Sequence, residues 1–248
     1  MIFRLELKTV TPASLPLAYN SLQQGAIYNL ISTRDSYSDF LHDEGYSSGR
    51  GTFKAFCFGP FQGASLVNRT TKTITFKDKV YWEIRSHDPE FCDAFLEGLR
   101  RKASLTFGRC EMDIVSCEAM KADILSKSLL IRMRSPLVIY NTLVVEGTSK
   151  TIYHDPLDAG YEKMIDDNFR NKYLSVCGEE PMGGISLAFD RITAADKCVT
   201  HFRDTWITGW RGIYRLKGSI ENLVFAYETG LGVKNSEGFG MFDVVDRL

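Results

Sequence analysis

The sequence predicts an α+β protein of two tandem β-α-β-β-α-β units, residues 1–122 and 123–248. Two observations carry this. Each half runs through the same order of alternating and helical apolar patterns, and each places a pair of β-rich segments between its two helical ones. The repetition lies in element order, since no residue-level repeat is visible. This is the ferredoxin-like, or RRM-like, plan, and two copies side by side create a cleft between their sheets.

Residues 2–9 (Ile-Phe-Arg-Leu-Glu-Leu-Lys-Thr) alternate as a half-buried strand. Residues 17–34 carry a helical period, with Leu22, Ala26, Ile27, Leu30 and Ile31 on one face. A Gly/Ser-rich loop covers 43–52. Phe53 to Phe61 and Thr71 to Arg85 are aromatic and β-branched runs separated by turn residues, a hairpin pattern. Asp88-Pro89-Glu90 opens a helix to about Arg101, because Asp is a good N-cap and Pro suits the first helical position. A strand follows near Leu105 to Cys117. In the second half, Leu129 to Val138 reads as a strand and Leu143 to Tyr153 is expected to pair with its neighbourhood. Asp155-Pro156 is expected to cap a long helix to about Val176. Ile185 to Phe202 and Thr205 to Leu216 are expected to form a hairpin. Ser219 opens a helix to about Thr229, and Phe239 to Val245 closes the sheet.

The length of 248 residues suits one large domain or two of about 120, and a hydrophobic content of 44% is enough for a core. Lys+Arg 30 against Asp+Glu 31 gives a net charge of -1, which by itself does not announce a nucleic-acid binder. Its distribution is more informative: five basic residues and one acid lie between Lys197 and Lys217, whereas the Asp155–Glu180 segment is acidic. The six cysteines have no zinc-type spacing and read as buried thiols in a reducing compartment. No stretch reads as a signal peptide or is long enough to span a bilayer, so the expectation is a cytoplasmic protein without a membrane partner.

The most informative segment is Gly230-Leu231-Gly232-Val233-Lys234-Asn235-Ser236-Glu237-Gly238-Phe239-Gly240. Glycine accepts positive φ and close approach, so this run is expected to turn backbone N–H donors toward phosphates. A dinucleotide-binding turn needs a helix after it. Here Met-Phe-Asp-Val-Val follows, which reads as a strand, so that class is excluded.

Gly-h-Gly-x5-Gly-h-Gly before a last strand resembles the hallmark of the repeat-associated RNA-binding superfamily of CRISPR systems. More narrowly, the chain resembles the CRISPR-associated endoribonucleases that process precursor CRISPR RNA. The residues that carry this are Tyr19-Asn20, Ile27-Tyr28, Phe40-Leu41-His42-Asp43, Phe53-Lys54, Asn168 to Tyr173, Gly218-Ser219 and Glu228 through Met241, in consistent order. The resemblance implies two ferredoxin-like domains and a metal-free cleavage with no cofactor, in which the 2′-hydroxyl attacks the adjacent phosphate to leave a 2′,3′-cyclic phosphate and a 5′-hydroxyl. It also implies His42 as the acid–base residue, Tyr28 as its partner near the 2′-OH and Lys54 as the charge stabiliser.

The residues themselves leave alternatives at each position. Three His-Asp dipeptides occur; those at 87–88 and 154–155 precede Pro, where the Asp reads as a helix cap, whereas His42-Asp43 opens the loop. Tyr28 lies off the apolar stripe of its helix, which leaves it for catalysis or for packing against the other domain. Lys54 is expected to start a strand, with Arg50 in the preceding loop as its substitute. For RNA placement the candidates are Gly230, Gly232, Lys234, Asn235, Ser236, Gly238 and Gly240, together with Arg203, Arg211, Arg215 and Lys217. Trp206, Trp210 and Tyr214 interleave with those basic residues and suit either stacked bases or a hairpin core; His201 sits in the same hairpin. The expected partner is CRISPR repeat RNA, with other CRISPR-associated proteins and a homodimer as further candidates. A non-cleaving RNA-binding subunit is the alternative function.

Overall fold

The computed structural model describes residues 1–9, 11–49, 51–145 and 147–247. Arg50, the substitute for Lys54, lies outside the described residues. In the first half the strands are β1 (Ile2–Thr9), β2 (Ala13–Pro16), β3 (Tyr46–Ser47), β4 (Thr52–Phe53), β5 (Phe56–Phe58), β6 (Gln62–Asn68), β7 (Thr73–Ser86), β8 (Ser104–Phe107) and β9 (Cys110–Met120). Its helices are α1 (Asn20–Ile31), α2 (Asp35–Asp39) and α3 (Pro89–Arg100). β7 is the spine. One of its edges pairs with β1 and β2 and the other with β5 and β6, while β9 and then β8 follow on the far side of β1. Phe3, Leu5 and Leu7 of β1 and Val80, Trp82 and Ile84 of β7 point to one face, where α1 and α3 cover them. Asp88 caps α3 as expected, accepting the Glu90 N–H at 2.9 Å.

The second half repeats the plan with strands β10 (Ser128–Met133), β11 (Tyr140–Val145), β12 (Thr148–Tyr153), β13 (Ile185–Arg191), β14 (Lys197–Phe202), β15 (Thr205–Trp210), β16 (Ile213–Gly218) and β17 (Phe242–Arg247). Its helices are α4 (Tyr161–Cys177) and α5 (Ile220–Thr229). The sheet order β13-β16-β10-β17 is the antiparallel ferredoxin order, with Tyr214 and Leu216 packed beneath α4 and α5. Two hairpins, β11–β12 and β14–β15, are additions to it.

Three expectations are corrected. The strand predicted over Ile185 to Phe202 is broken: Thr193 and Asp196 cap one another in a short turn, so β13 pairs with β16 while β14–β15 forms a separate hairpin inserted between them. Asp155 does not cap α4. It accepts the Leu157 N–H at 3.0 Å in a local turn, and the helix starts only after left-handed Gly160. Of the cysteines, Cys57 and Cys92 are buried and the other four half-buried; all six are free thiols.

The halves are locked by a buried ionic cluster. Arg85 of β7 is 0% exposed, stacks 3.6 Å from the Tyr227 ring, and donates to the Phe242 carbonyl at 2.7 Å and to Glu83 at 2.6 Å. Glu83 in turn receives Arg134 of the second half at 3.3 Å. Removing one member of such a cluster leaves an uncompensated buried charge. Among the described residues no helix is long and apolar enough to cross a membrane.

Candidate active site and RNA interface

His42 sits in a π-helical turn, Phe40–Glu44, that continues α2; such turns recur at functional sites. Both flanks of this turn are tied to one carboxylate. Tyr37 on α2 and Tyr46 on β3 donate their hydroxyls to Asp88 Oδ2 at 2.5 and 2.6 Å. Burial, reinforced by that carboxylate, pushes both phenols well above their ordinary value, so they stay protonated donors. Asp88 therefore caps α3 and clamps the loop carrying His42.

The structure brings Tyr28, His42 and Lys54 together. The Tyr28 and His42 rings meet edge-on with centroids 5.4 Å apart, and the Tyr28 hydroxyl is 3.4 Å from the Leu41 carbonyl. Burial pushes the Tyr28 phenol up to about 12, so near neutrality it is a proton-bearing donor. His42 Nδ1 lies 2.7 Å from Asp43 Oδ1, which leaves Nε2 facing outward on a ring that is 63% exposed. Lys54 Nζ donates to the His42 carbonyl at 3.0 Å. Burial lowers its pKa, with the Asp43 charge acting in the opposite direction. Contrary to expectation, Lys54 does not start a strand: it follows β4 and precedes left-handed Ala55.

The glycine loop packs against this site. Gly230, Gly232, Gly238 and Gly240 all have positive φ, and so does Lys234. A Cβ at Gly240 would collide with the Leu231 carbonyl oxygen, and one at Gly232 with that of Val138. The expected ring of free N–H donors is largely used within the fold. The amides of Leu231, Val233, Glu237, Gly238, Phe239 and Gly240 all donate to carbonyls of the protein. Asn235 is also turned inward, donating to Leu231 and Phe239 carbonyls at 2.9 and 3.1 Å, so its side chain is a brace and not an RNA contact. Lys234 pairs with Glu237 at 3.0 Å.

The residue beneath the loop falls in the Asn168 to Tyr173 stretch that carries the resemblance, but sequence reasoning gave it no role. Lys172, 3% exposed on α4, points Nζ at the Gly230 carbonyl (2.7 Å), the Gly232 carbonyl (3.1 Å) and Asn235 Oδ1 (2.5 Å). Burial pulls its pKa down to about 7, while three oxygens replacing its water shell match the three donors of an ammonium and oppose that pull. On the other side, α1 grips the loop: Gln24 donates to the Ser236 carbonyl at 2.8 Å and Asn20 to that of Glu237 at 3.1 Å. Asn20, Gln24 and Tyr28 occupy one stripe of α1 at four-residue spacing, which puts the loop and the Tyr28–His42 pair along one edge.

The basic residues of the second half separate. Arg203 reaches from the β14–β15 turn to Gln24 Oε1 at 3.0 Å and joins the site. Arg211 is exposed and its N–H is bound to the Asp196 carbonyl. Arg215 and Lys217 lie on the sheet face away from the core, where Arg215 pairs with Asp190 at 2.9 Å. Trp210 and Tyr214 are core residues, so of the three interleaved rings only Trp206, 65% exposed and 5.0 Å from the His201 ring, is open to solvent.

Between the halves lies a cleft of about 670 Å³, bordered by Lys54, the glycine loop and α4. Among the described residues no three His, Cys, Asp or Glu side chains gather in a group able to hold a metal ion.

Residues 118–244, just over half of the chain, match the family model described as CRISPR associated protein Cas6, C-terminal. The CRISPR-associated endoribonuclease Cas6 1 of Methanocaldococcus jannaschii is 26% identical over 242 residues, covering 97% of this chain and 91% of that protein. The CRISPR-associated endoribonuclease Cas6 of Pyrococcus furiosus is 23% identical over 232 residues, 93% of this chain and 83% of its own. The solved structure of a Cas6-related protein from Pyrococcus furiosus superposes with a TM-score of 0.86 at 18% identity, covering 100% of this chain and 99% of that one, which shows a shared fold. The chain belongs to the Cas6 family of CRISPR-associated proteins.

Proposed function

We propose that this chain is a metal-independent endoribonuclease, acting in the cytoplasm, that cuts CRISPR repeat RNA within the precursor transcript to release guide RNAs. Family membership and the naming of its relatives as endoribonucleases support RNA cleavage. The observation that carries the mechanism is the edge-on Tyr28–His42 pair with Lys54 Nζ on the His42 carbonyl, beside a braced glycine loop. Asp43 engages Nδ1, so Nε2 is the nitrogen open to substrate. His42 Nε2 takes the 2′-hydroxyl proton as the 2′-oxygen forms its bond to phosphorus. The P–O5′ bond then breaks and the departing 5′-oxygen takes the proton back from His42 Nε2, returning it to its starting state and leaving a 2′,3′-cyclic phosphate and a 5′-hydroxyl. Lys54 offsets the charge of the crowded phosphorane, and Tyr28 donates a hydrogen bond near the 2′-oxygen. Arg203, exposed Arg211, Ser236 and Lys234 serve RNA placement, with Arg215 and Lys217 contributing only long-range charge. The units 1–122 and 123–248, a homodimer and further CRISPR-associated partners remain part of this proposal.

The test is incubation with the repeat RNA of the neighbouring array in excess EDTA, with end-group analysis. A cyclic-phosphate product is expected. Tight binding without cleavage would favour a guide-RNA-holding subunit, and cleavage that EDTA abolishes would remove the metal-free mechanism.

A further inference from the structure

The cleft of about 670 Å³ is of ligand size and lies next to Lys54, yet the cleavage chemistry does not use most of its wall. Met164, Asn168 and Asn171 border it from α4 at i, i+4 and i+7, one face of that helix. Asn141 adds a third carboxamide, and Phe53 and Tyr140 add two rings. Asn168 Oδ1 is buried and meets no hydrogen-bond partner among the described residues; the residue itself is half-buried, so a turn of its carboxamide would present this unused acceptor to a ligand N–H.

The charges decide the ligand class. Lys54, Lys172 and Lys234 border the cleft, but so do Asp43, Asp167 and Glu237. A wall with as many carboxylates as ammonium groups is a poor phosphate cradle. Carboxamides and rings instead match a neutral nucleobase, hydrogen-bonded at its edge and stacked on its face.

We propose that this cleft is a subsite for one unpaired nucleotide of the repeat RNA next to the cut, whose base donates an N–H to Asn168 and packs against Phe53 or Tyr140. The subsite gives sequence selectivity close to the reacting phosphate, apart from the backbone contacts of the glycine loop. It rests on the nuclease reading for its placement beside the cut.

The experiment measures equilibrium binding of repeat RNAs in which each nucleotide around the mapped cut is replaced in turn by an abasic one. A 2′-deoxynucleotide at the cut prevents turnover; unmodified RNA is used if none is cleaved. Binding by wild type is expected to weaken roughly tenfold at one position. In N168A the same abasic replacement should cost clearly less than in wild type, because the hydrogen bond of that base is already gone while its stacking remains, and N171A, on the same helix face, should reduce it likewise. Abasic penalties that are equal in wild type and both variants would overturn the subsite. So would coupling of either Asn to a neutralised phosphate and not to a missing base. Coupling to a base in a protein that never cleaves would retain the subsite and sink the nuclease reading instead.

Discussion

Replacing Lys172 by Met tests whether the glycine loop depends on a buried cation. Methionine keeps most of the apolar stem but removes the donors from three oxygens, those of Gly230, Gly232 and Asn235. A buried acceptor left unsatisfied costs about 1–3 kcal/mol, and relief from holding an ammonium in the interior offsets part of the sum. A net loss of about 3 kcal/mol follows, equivalent to a fall of roughly 6–12 °C in Tm for a chain of this size. Because the same loop borders Tyr28 through Gln24 and Asn20, repeat-RNA affinity should fall as well. Urea or thermal unfolding read beside filter binding measures both, and a cycle with N235A should show strong non-additivity since the two side chains share a bond. A Tm within about 2 °C of wild type together with unchanged affinity would refute the brace.

Other consequences are as direct. Gly240→Ala places a Cβ against the Leu231 carbonyl oxygen at a left-handed position, so a loss of about 2 kcal/mol or more is expected; normal unfolding of G240A would contradict the close approach. R203A should weaken repeat-RNA binding and reduce its salt slope by about 1, whereas R215A, already paired with Asp190, should change the slope little. Equal losses in both would move the RNA path onto the open sheet face. His87 is raised to about 9, first by a hydrogen bond to the Cys177 side chain and then by Glu228, whose Oε2 lies 2.7 Å away. A raised pKa means its stabilisation is full below about 6.5 and is lost as pH rises through about 9. With its side chain 35% exposed this amounts to about 1 kcal/mol. H87Q should lose that pH dependence relative to wild type; parallel stability profiles would exclude it.

The order of elements was legible because apolar periodicity reports which face of a strand or helix is buried, and both sheets follow that pattern. Breaks set by local polar turns were not. The Thr193–Asp196 cap interrupts what reads as one continuous strand, and the Asp155 turn spends its side chain before the helix begins. The Tyr28–His42–Lys54 grouping came from resemblance, since residues from α1, a π-turn and the segment after β4 meet only through the tertiary fold. The buried role of Lys172 was not legible for a related reason: in an acidic helix a lysine reads as solvated, and only the packing of α4 under the glycine loop makes it interior. Asp88 was legible as a cap but not as a clamp, because its tyrosine partners lie 51 and 42 residues away.

The central claim is that His42 moves the proton while other parts of the molecule hold the RNA. Single-turnover cleavage of repeat RNA in EDTA by wild type and H42A, with dissociation constants for the same RNA, tests it most directly. Cleavage by H42A is expected to be slowed by about 10²–10⁴-fold with affinity nearly intact. Equal rates for the two proteins would remove His42 from the mechanism.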